Sequence, residues 1–405
     1  MLADFYPPVV GGLETHVALL SKEFAMRGHT ITVATVSYRE EPTFEERDGV
    51  RIYRLNGLFQ RVPSIYKSRD KRYHPPVSDP LIQRAITTLS SHSDIVHAHG
   101  WILYSALRAK KESMVPLVAT LHDYGLICPR RTLLTSADKI CEESGTLRCI
   151  TCARNMYGLT KSSFSCYGVV SGRRMLRMVN KYVAVSTAVK TAHVRHLNLE
   201  PSLIDVIPNF YSAREAHMPV KQLTMTRREL PEDFVLFVGV LAPYKGVDVL
   251  LASWRRLPTK TKLVLLGMRF PGFSYPSSNN IIVFENAPDA LVKEAYSKCR
   301  FTVIPSIWHE PCPTVAFEAM AFRKSIIASD VGGLTDIVQN NETGLLFHRN
   351  DAVSLTVAIR HLLERPDIAH EMGERGFTRL VDHFSIDKVA PQLEALYKNV
   401  LDSAG

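Results

Sequence analysis

No apolar run in this 405-residue chain approaches the roughly 20 residues of a membrane-spanning helix. The N-terminus has no secretory pattern, and both absences point to the cytoplasm. There is no internal repeat and no low-complexity segment, so repeat architectures are not expected. Cysteine is scarce and odd in number, seven in all, so a full disulfide framework is not expected either. Acidic residues are short in one half only. Residues 1–205 carry 27 Lys+Arg against 18 Asp+Glu, and residues 206–405 carry 22 against 22, so the whole net charge of +9 belongs to the first half. A basic face attracts nucleic acid, an anionic membrane surface or an anionic substrate, or is simply a soluble surface. No nucleic-acid-binding motif accompanies it, and nucleic acid is not an expected partner.

What is present is a soluble globular composition long enough for two domains. The most informative stretch runs from Ser306 to Gly333, SIWHEPCPTVAFEAMAFRKSIIASDVGG. Pro311 and Pro313 forbid helix until about Thr314, which reads as an N-cap. An apolar helix, an extended run and the Gly332-Gly333 turn follow, the strand–loop–helix–strand order of an α/β protein. Glu310 on the loop and Glu318 one turn into the helix can reach one ligand from different heights. Carboxylates accept hydrogen bonds from sugar hydroxyls, and the first-turn N–H groups favour an anion such as a diphosphate. From spacing alone, two acids that merely solvate a surface helix fit as well.

Glu310 and Glu318 form E-x7-E, followed by Glu318-Ala319-Met320-Ala321 and by Asp330-Val331-Gly332-Gly333-Leu334. This pattern resembles the retaining glycosyltransferases of family 4. The resemblance covers nearly the whole chain. It implies an α/β, GT-B fold: two Rossmann-like domains facing a cleft, with 1–208 binding the acceptor, 209–384 binding a nucleotide-sugar, and a final helix in 385–405 crossing back. It also implies that Glu310 contacts the donor sugar, that Glu318 binds the ribose hydroxyls, and that the backbone at Cys312, Pro313 and Thr314 lines sugar and phosphates. Retaining transfer of this kind lets the acceptor attack the face the phosphate leaves from, so Glu310 positions and supports charge without covalent attack. No D-x-D motif sits at a strand end, so no metal or other cofactor is expected for the chemistry itself.

The rest of the chain supplies the other candidates. Leu2-Ala3 is the tail of a strand, either because the chain starts late or because the strand is short. The loop after it holds Gly11 and Gly12, where the backbone can approach a ligand closely. The resemblance carries Gly11, Gly12 and Glu14 to the donor phosphates and acceptor; His16 touches an acceptor or is only packed. Residues 61–80, basic, aromatic and rich in proline, form a loop, a variable acceptor loop by resemblance. Ile95-Val96 is a short strand with His97 and His99 at its end. Spaced i, i+2 they face one way and suit a metal, but no third ligand is evident nearby. The next strand ends in His122-Asp123, and the resemblance makes His122 hydrogen-bond the transferred sugar.

An insertion over 128–152 follows, with Cys128, Cys141, Cys149 and Cys152 in the pattern C-x12-C-x7-C-x2-C. The C-x2-C half-site with two further thiols suits a structural zinc; packed reduced cysteines and disulfides are the alternatives. Residues 154–181 interleave six Lys and Arg with apolar residues. They read either as a basic amphipathic helix resting on anionic lipid or as an ordinary domain helix. The polar run 212–232 is the expected domain boundary. Phe234 to Val240 is a continuous apolar strand, and Lys245 beyond it can reach a diphosphate. The family usually has Arg immediately after Gly239; here that place is Val240, which removes one positive charge. Arg269 either supplies it or is a surface residue. Asp336 stands where relatives commonly have Glu.

The expected activity is therefore metal-independent, retaining hexosyl transfer from a nucleotide-sugar to a glycan or lipid-linked acceptor at the cytoplasmic membrane face. Peripheral membrane attachment through the basic half goes with it. A non-catalytic partner subunit of the same fold, a nucleotide-sugar epimerase, or a phosphorylase carrying pyridoxal phosphate are the rivals.

Overall fold

A computed structural model describes the whole chain except residues 10, 39–40, 62–73, 136–138, 143–144, 212–228, 276–277 and 404–405. Most of the basic loop 61–80 and of the run 212–232 thus lies outside the described residues. The chain divides into two compact units, Met1–Asn209 with Val389–Gly405, and Phe210–Lys388.

The first unit is built on an eight-stranded sheet. Its strands are β1 (Leu2–Ala3), β2 (Ile31–Val36), β3 (Phe44–Arg47), β4 (Val50–Leu55), β5 (Val96–His99), β6 (Leu117–Leu121), β7 (Lys181–Ala184) and β8 (Ile204–Val206). Their spatial order is β3-β4-β2-β1-β5-β6-β7-β8, parallel except for the β3–β4 pair. Buried runs such as Leu117–Leu121, covered on both faces, are what a parallel sheet demands. The chain lays β1 at the middle, moves outward one way through β2, returns to β5 and then moves the other way. The crevice at the carboxyl ends of β1 and β5 is therefore a topological switch point, where ligands of such sheets bind.

Helix α1 (Gly12–Met26) follows β1, α2 (Pro80–Ser90) precedes β5, and α3 (Leu103–Ser113) follows it. Asp79 caps α2, its side chain accepting from the Leu81 and Ile82 N–H groups. Buried Asp4, at the end of β1, accepts from the Trp101 N–H at 3.0 Å and the Ile102 N–H at 2.6 Å, tying the turn after β5 to β1. Helix α4 (Thr146–Leu176) breaks its helical path at Gly158, whose φ of 78° is left-handed. It starts earlier than the sequence suggests and takes Cys149 and Cys152 into its first turns. Helix α5 (Thr187–Leu197) completes the set.

The second unit holds a six-stranded, all-parallel sheet: β9 (Phe234–Val238), β10 (Lys262–Gly267), β11 (Ile281–Glu285), β12 (Thr302–Ile304), β13 (Ile326–Ser329) and β14 (Gly344–Phe347). The order β11-β10-β9-β12-β13-β14 is the third-second-first-fourth-fifth-sixth order of dinucleotide-binding sheets, with its switch point between β9 and β12. Its helices are α6 (Val247–Trp254), α7 (Asp289–Lys298), α8 (Thr314–Ala321), α9 (Leu334–Ile337), α10 (Ala352–Glu364) and α11 (Pro366–Arg379). One core of Val235, Phe237, Trp254, Phe301, Ile327 and Leu355 joins sheet to helices. Each such side chain, buried fully, contributes about 1.5–3 kcal/mol of transfer free energy.

Two local expectations are corrected. Thr314 is not the N-cap of α8: Pro313, at φ −73° and ψ 120°, holds that extended position and Thr314 is already helical, because the proline ring sets φ. The strand expected at Ile95-Val96 runs instead over Val96–His99, so His97 and His99 lie in its last half, paired in register with Val118 and Thr120 of β6.

The last helix, α12 (Ile386–Asp402), buries Val389, Leu393, Leu396 and Val400, one face of a 3.6-residue period. From Val389 it belongs to the first unit. Tyr397 Oη lies 2.6 Å from His97 Nδ1, and Glu394 pairs with Arg27 and His29. Among the described residues no helix is long and apolar enough to cross a membrane.

Candidate functional site

In the second unit the two turns that flank the switch point meet. The turn after β9 carries Lys245, and the loop after β12 carries Glu310. Lys245 Nζ lies 2.6 Å from Glu310 Oε1, and Ser306 Oγ donates to the same oxygen at 2.6 Å. Glu310 is only 3% exposed, so the pair is held in a weakly screened environment. The Lys245 ammonium also lies 5.2 Å from the centroid of the Trp308 ring, a cation–π contact, and Tyr244 meets that ring edge-on at 6.1 Å. Ser329 Oγ donates to the Ser306 carbonyl at 2.6 Å and braces the loop from β13.

Two glycines make this approach possible. Gly246 sits at φ 71°, and a Cβ there would stand 1.7 Å from the Pro305 carbonyl oxygen. Gly332 sits at φ 58°, and its Cβ would stand 2.4 Å from the Glu310 carbonyl oxygen. Gly333 N–H donates to that oxygen at 2.6 Å. Backbone-to-backbone packing of this kind admits no side chain.

Cys312 and Pro313 are buried and Thr314 is half-buried at the first position of α8. Glu318 is half-buried one turn further. Burial raises its pKa above the usual carboxylate value, opposed by a hydrogen bond from Tyr296 on α7. The partners of the two acids thus differ: Glu310 is held by Lys245 and Ser306, Glu318 by α7. Arg269, after β10, is exposed and pairs with Glu285 at 3.4 Å, although its backbone bridges to Leu241 beside Val240. Asp336 lies in α9.

In the first unit Gly11 and Gly12 open α1 and Glu14 lies in its first turn. Close by, four imidazoles gather at the carboxyl ends of β5 and β6. His99 Nδ1 and His122 Nε2 are 2.9 Å apart, the His16 and His122 ring centroids 4.8 Å, and the His97 and His99 centroids 4.1 Å. His97 also meets Thr120 Oγ1 at 2.7 Å. Burial pushes all four pKa values down, that of His122 to about 3, with neighbouring imidazoles adding to the effect. At neutral pH these rings are uncharged hydrogen-bonding groups. Asp123 holds Arg131 at 2.8 Å, and the Arg131 guanidinium lies 4.9 Å from the Trp101 ring centroid. His122, Asp123 and Arg131 line a small cavity of about 20 Å³.

The nitrogen ligands of His16, His99 and His122 lie within 4.8 Å of one another, a set of metal-ligand geometry among the described residues. Sequence spacing showed only His97 and His99. Of that pair only His99 belongs to the trio; His16 comes from α1, more than 80 residues away, His122 from the end of β6, and adjacency of β1, β5 and β6 assembles them. Ser306 and Trp308 were also missed as partners of the acid–lysine pair. Cys128, Cys141, Cys149 and Cys152 are all reduced and line one cavity of about 960 Å³.

Comparison with known proteins adds family information. Residues 10–214 match the family model described as Glycosyltransferase Family 4, and residues 225–379 match Glycosyl transferases group 1. Over 254 residues the chain is 28% identical to an alpha-maltose-1-phosphate synthase of Mycolicibacterium smegmatis, covering 56% of this chain and 65%, under two-thirds, of that protein. Among solved structures, sucrose-phosphate synthase from Thermosynechococcus elongatus superposes with a TM-score of 0.71 at 21% identity, covering 99% of this chain and 98% of that one. Anabaena HepE in complex with UDP superposes with a TM-score of 0.68 at 16% identity, covering 98% of each chain. The neighbours establish a GT-B fold.

Proposed function

The chain belongs to the group 1 glycosyltransferases of family 4, and from that premise we propose that it moves a hexosyl group from a nucleoside-diphosphate sugar to an acceptor with retention of anomeric configuration. The observation that carries this reading is the Lys245–Glu310 pair at the switch point of the second sheet, 2.6 Å apart. A bound diphosphate would draw the Lys245 ammonium away from Glu310 and free that carboxylate to accept from a sugar hydroxyl. Glu318 would take the ribose hydroxyls, and the backbone at Cys312, Pro313 and Thr314, opening α8, would meet the phosphates. A relative of the same fold is known with UDP bound, which supports a donor of this class.

Departure of the nucleoside diphosphate needs positive charge placed in advance. Lys245 and the α8 N-terminus supply it here, so the reading calls for no divalent ion. Gly11, Gly12 and Glu14 belong to acceptor and phosphate binding, and neutral His122 donates or accepts a hydrogen bond to the transferred sugar. The acceptor is a glycan or lipid-linked intermediate. Helix α4 supports a membrane-facing acceptor: it carries Arg148, Arg154, Lys161, Arg173 and Arg174, no acidic residue, and exposed Leu147, Met156, Leu159, Tyr167 and Val170.

A thermal-shift screen with UDP-, GDP-, ADP- and dTDP-sugars tests the donor class, because a ligand that binds only the folded chain raises its melting temperature. No shift with any of them sinks the reading. The anomeric signal of the product by NMR decides retention. Val240, where an arginine is usual, favours one rival: a non-catalytic partner subunit. That rival gains if Lys245→Ala and Glu310→Ala leave product formation in cells unchanged. An epimerase would consume the nucleotide-sugar with no acceptor present.

A further inference from the structure

The segment from His122 to the start of α4 is long, and its described residues hold little regular structure. Among its described residues the one β-bridge is Leu134↔Ile140. Loops of this length are uncommon in compact units and usually carry a function. Three separate devices bring its cysteines to the wall of one cavity. The turn in which the Cys128 N–H donates to the Tyr124 carbonyl at 2.8 Å sets the first. The bridge, with Cys141 N–H donating to Leu133 O at 2.7 Å, sets the second. The opening turns of α4 set Cys149 and Cys152, three residues apart and so on one helix face. All four line the cavity of about 960 Å³.

The chemistry around them separates a metal site from packed thiols. Cys299, in the second unit, is 2% exposed, as inert cysteines are; Cys166, also buried, lies on α4 near Cys149, Cys128 and Cys152. Cys141, Cys149 and Cys152 are half-exposed and Cys128 is buried, on a cavity wall that also carries Arg130, Lys139 and Arg148 and, among the described residues, the one acid Glu142. Arg130 Nη1 lies 3.6 Å from Cys152 Sγ, placed to donate to a thiolate. Four thiolates around a divalent ion carry a net charge of −2, which these cations offset.

We propose that Cys128, Cys141, Cys149 and Cys152 bind one zinc ion tetrahedrally, and that the ion staples the loop after His122 to the start of α4. The thiol protons leave to solvent as the ion binds, with no redox change. The four thiols stand around the cavity, whereas the histidine trio is the set already close together. Zinc held there would tie Cys128, and with it the nearby Arg131 that grips Asp123 beside His122, to the start of α4. The inference concerns structure and stands whether or not the chain transfers sugar.

The test is metal analysis of the full chain purified under reducing conditions. The expected result is about one zinc per chain, lost in Cys149→Ser/Cys152→Ser and kept in Cys299→Ser. Cobalt exchanged into the wild type should show the strong visible bands and thiolate charge-transfer absorption of tetrahedral sulfur ligation. If the double variant fails to fold, the cobalt spectrum of the wild type still decides. Absence of zinc together with no cobalt–thiolate signal on titration overturns the proposal. So does a mass showing disulfides among the four thiols in the reduced preparation, or metal that survives Cys149→Ser/Cys152→Ser and disappears in His99→Gln.

Discussion

The two sheets of this protein bring different chemistry to the same topological place. At the carboxyl ends of β5 and β6 the first unit gathers four imidazoles, three buried and His122 half-buried, all held neutral by desolvation. Beside β9 and β12 the second unit sets one ammonium against one carboxylate, with a hydroxyl and an indole around them. The switch point of an open parallel sheet fixes where a ligand binds and not which ligand. Neutral rings suit hydroxyl recognition, where a fixed charge would carry a desolvation cost. A charged pair suits a diphosphate, whose arrival replaces one partner of the pair.

The largest expected effect comes from breaking the charged side. Lys245→Ala should lower kcat/KM by about 10²–10³-fold, the size of losing one preorganised charge-stabilising donor. It also leaves Glu310 buried and unpaired, so steady-state kinetics should be read beside urea unfolding. Adding Glu310→Gln should recover stability without recovering activity; activity that returns with stability would make the pair structural only. Gly246→Ala comes next. A left-handed φ and a backbone oxygen 1.7 Å from the new Cβ should destabilise the second unit by about 2–4 kcal/mol, seen in the melting temperature.

On the neutral side, His122→Ala should cost about tenfold in kcat, one neutral hydrogen bond's worth. An unchanged kcat removes His122 from the sugar. The cluster also predicts a pH dependence whose sign is set by burial. The folded imidazoles bind protons only well below the ordinary histidine value of 6.5, and the unfolded chain binds them near that value. Stability from the neutral rings is therefore complete above about pH 6.5 and falls as pH drops below it toward the folded values, to about 3 for His122. Urea midpoints from pH 8 to 4 should stay level to 6.5 and then decline, less steeply in His99→Gln. A flat profile would mean that the rings are not desolvated. The smallest effect is a gain: Val240→Arg should raise turnover a few-fold if charge beside Lys245 limits the leaving step, and no gain would show that Lys245 suffices.

The α/β class was legible because the apolar runs are local patterns, and its GT-B form because the E-x7-E, glycine and lysine positions carry a family resemblance. Phe234–Val238 reads as a buried strand before any coordinates, and the Glu310 loop announces itself through its prolines. The cap of α8 was misplaced by one residue, since Thr314 and Pro313 compete for that position and the ring constraint wins. Partners distant in the chain were not legible. Nothing in the spacing says that Ser306 turns to Glu310 or that Trp308 lies against Lys245, and His16 has no sequence neighbour that marks it as close to His99 and His122.

The sequence alone determined which elements form and in what order, because periodicity, proline and glycine act over a few residues at a time. Tertiary structure decided the rest: which strands are neighbours, which groups are desolvated, and hence that four histidines are neutral and one lysine meets one glutamate. Charge state and contact depend on burial, and burial is a property of the folded chain as a whole.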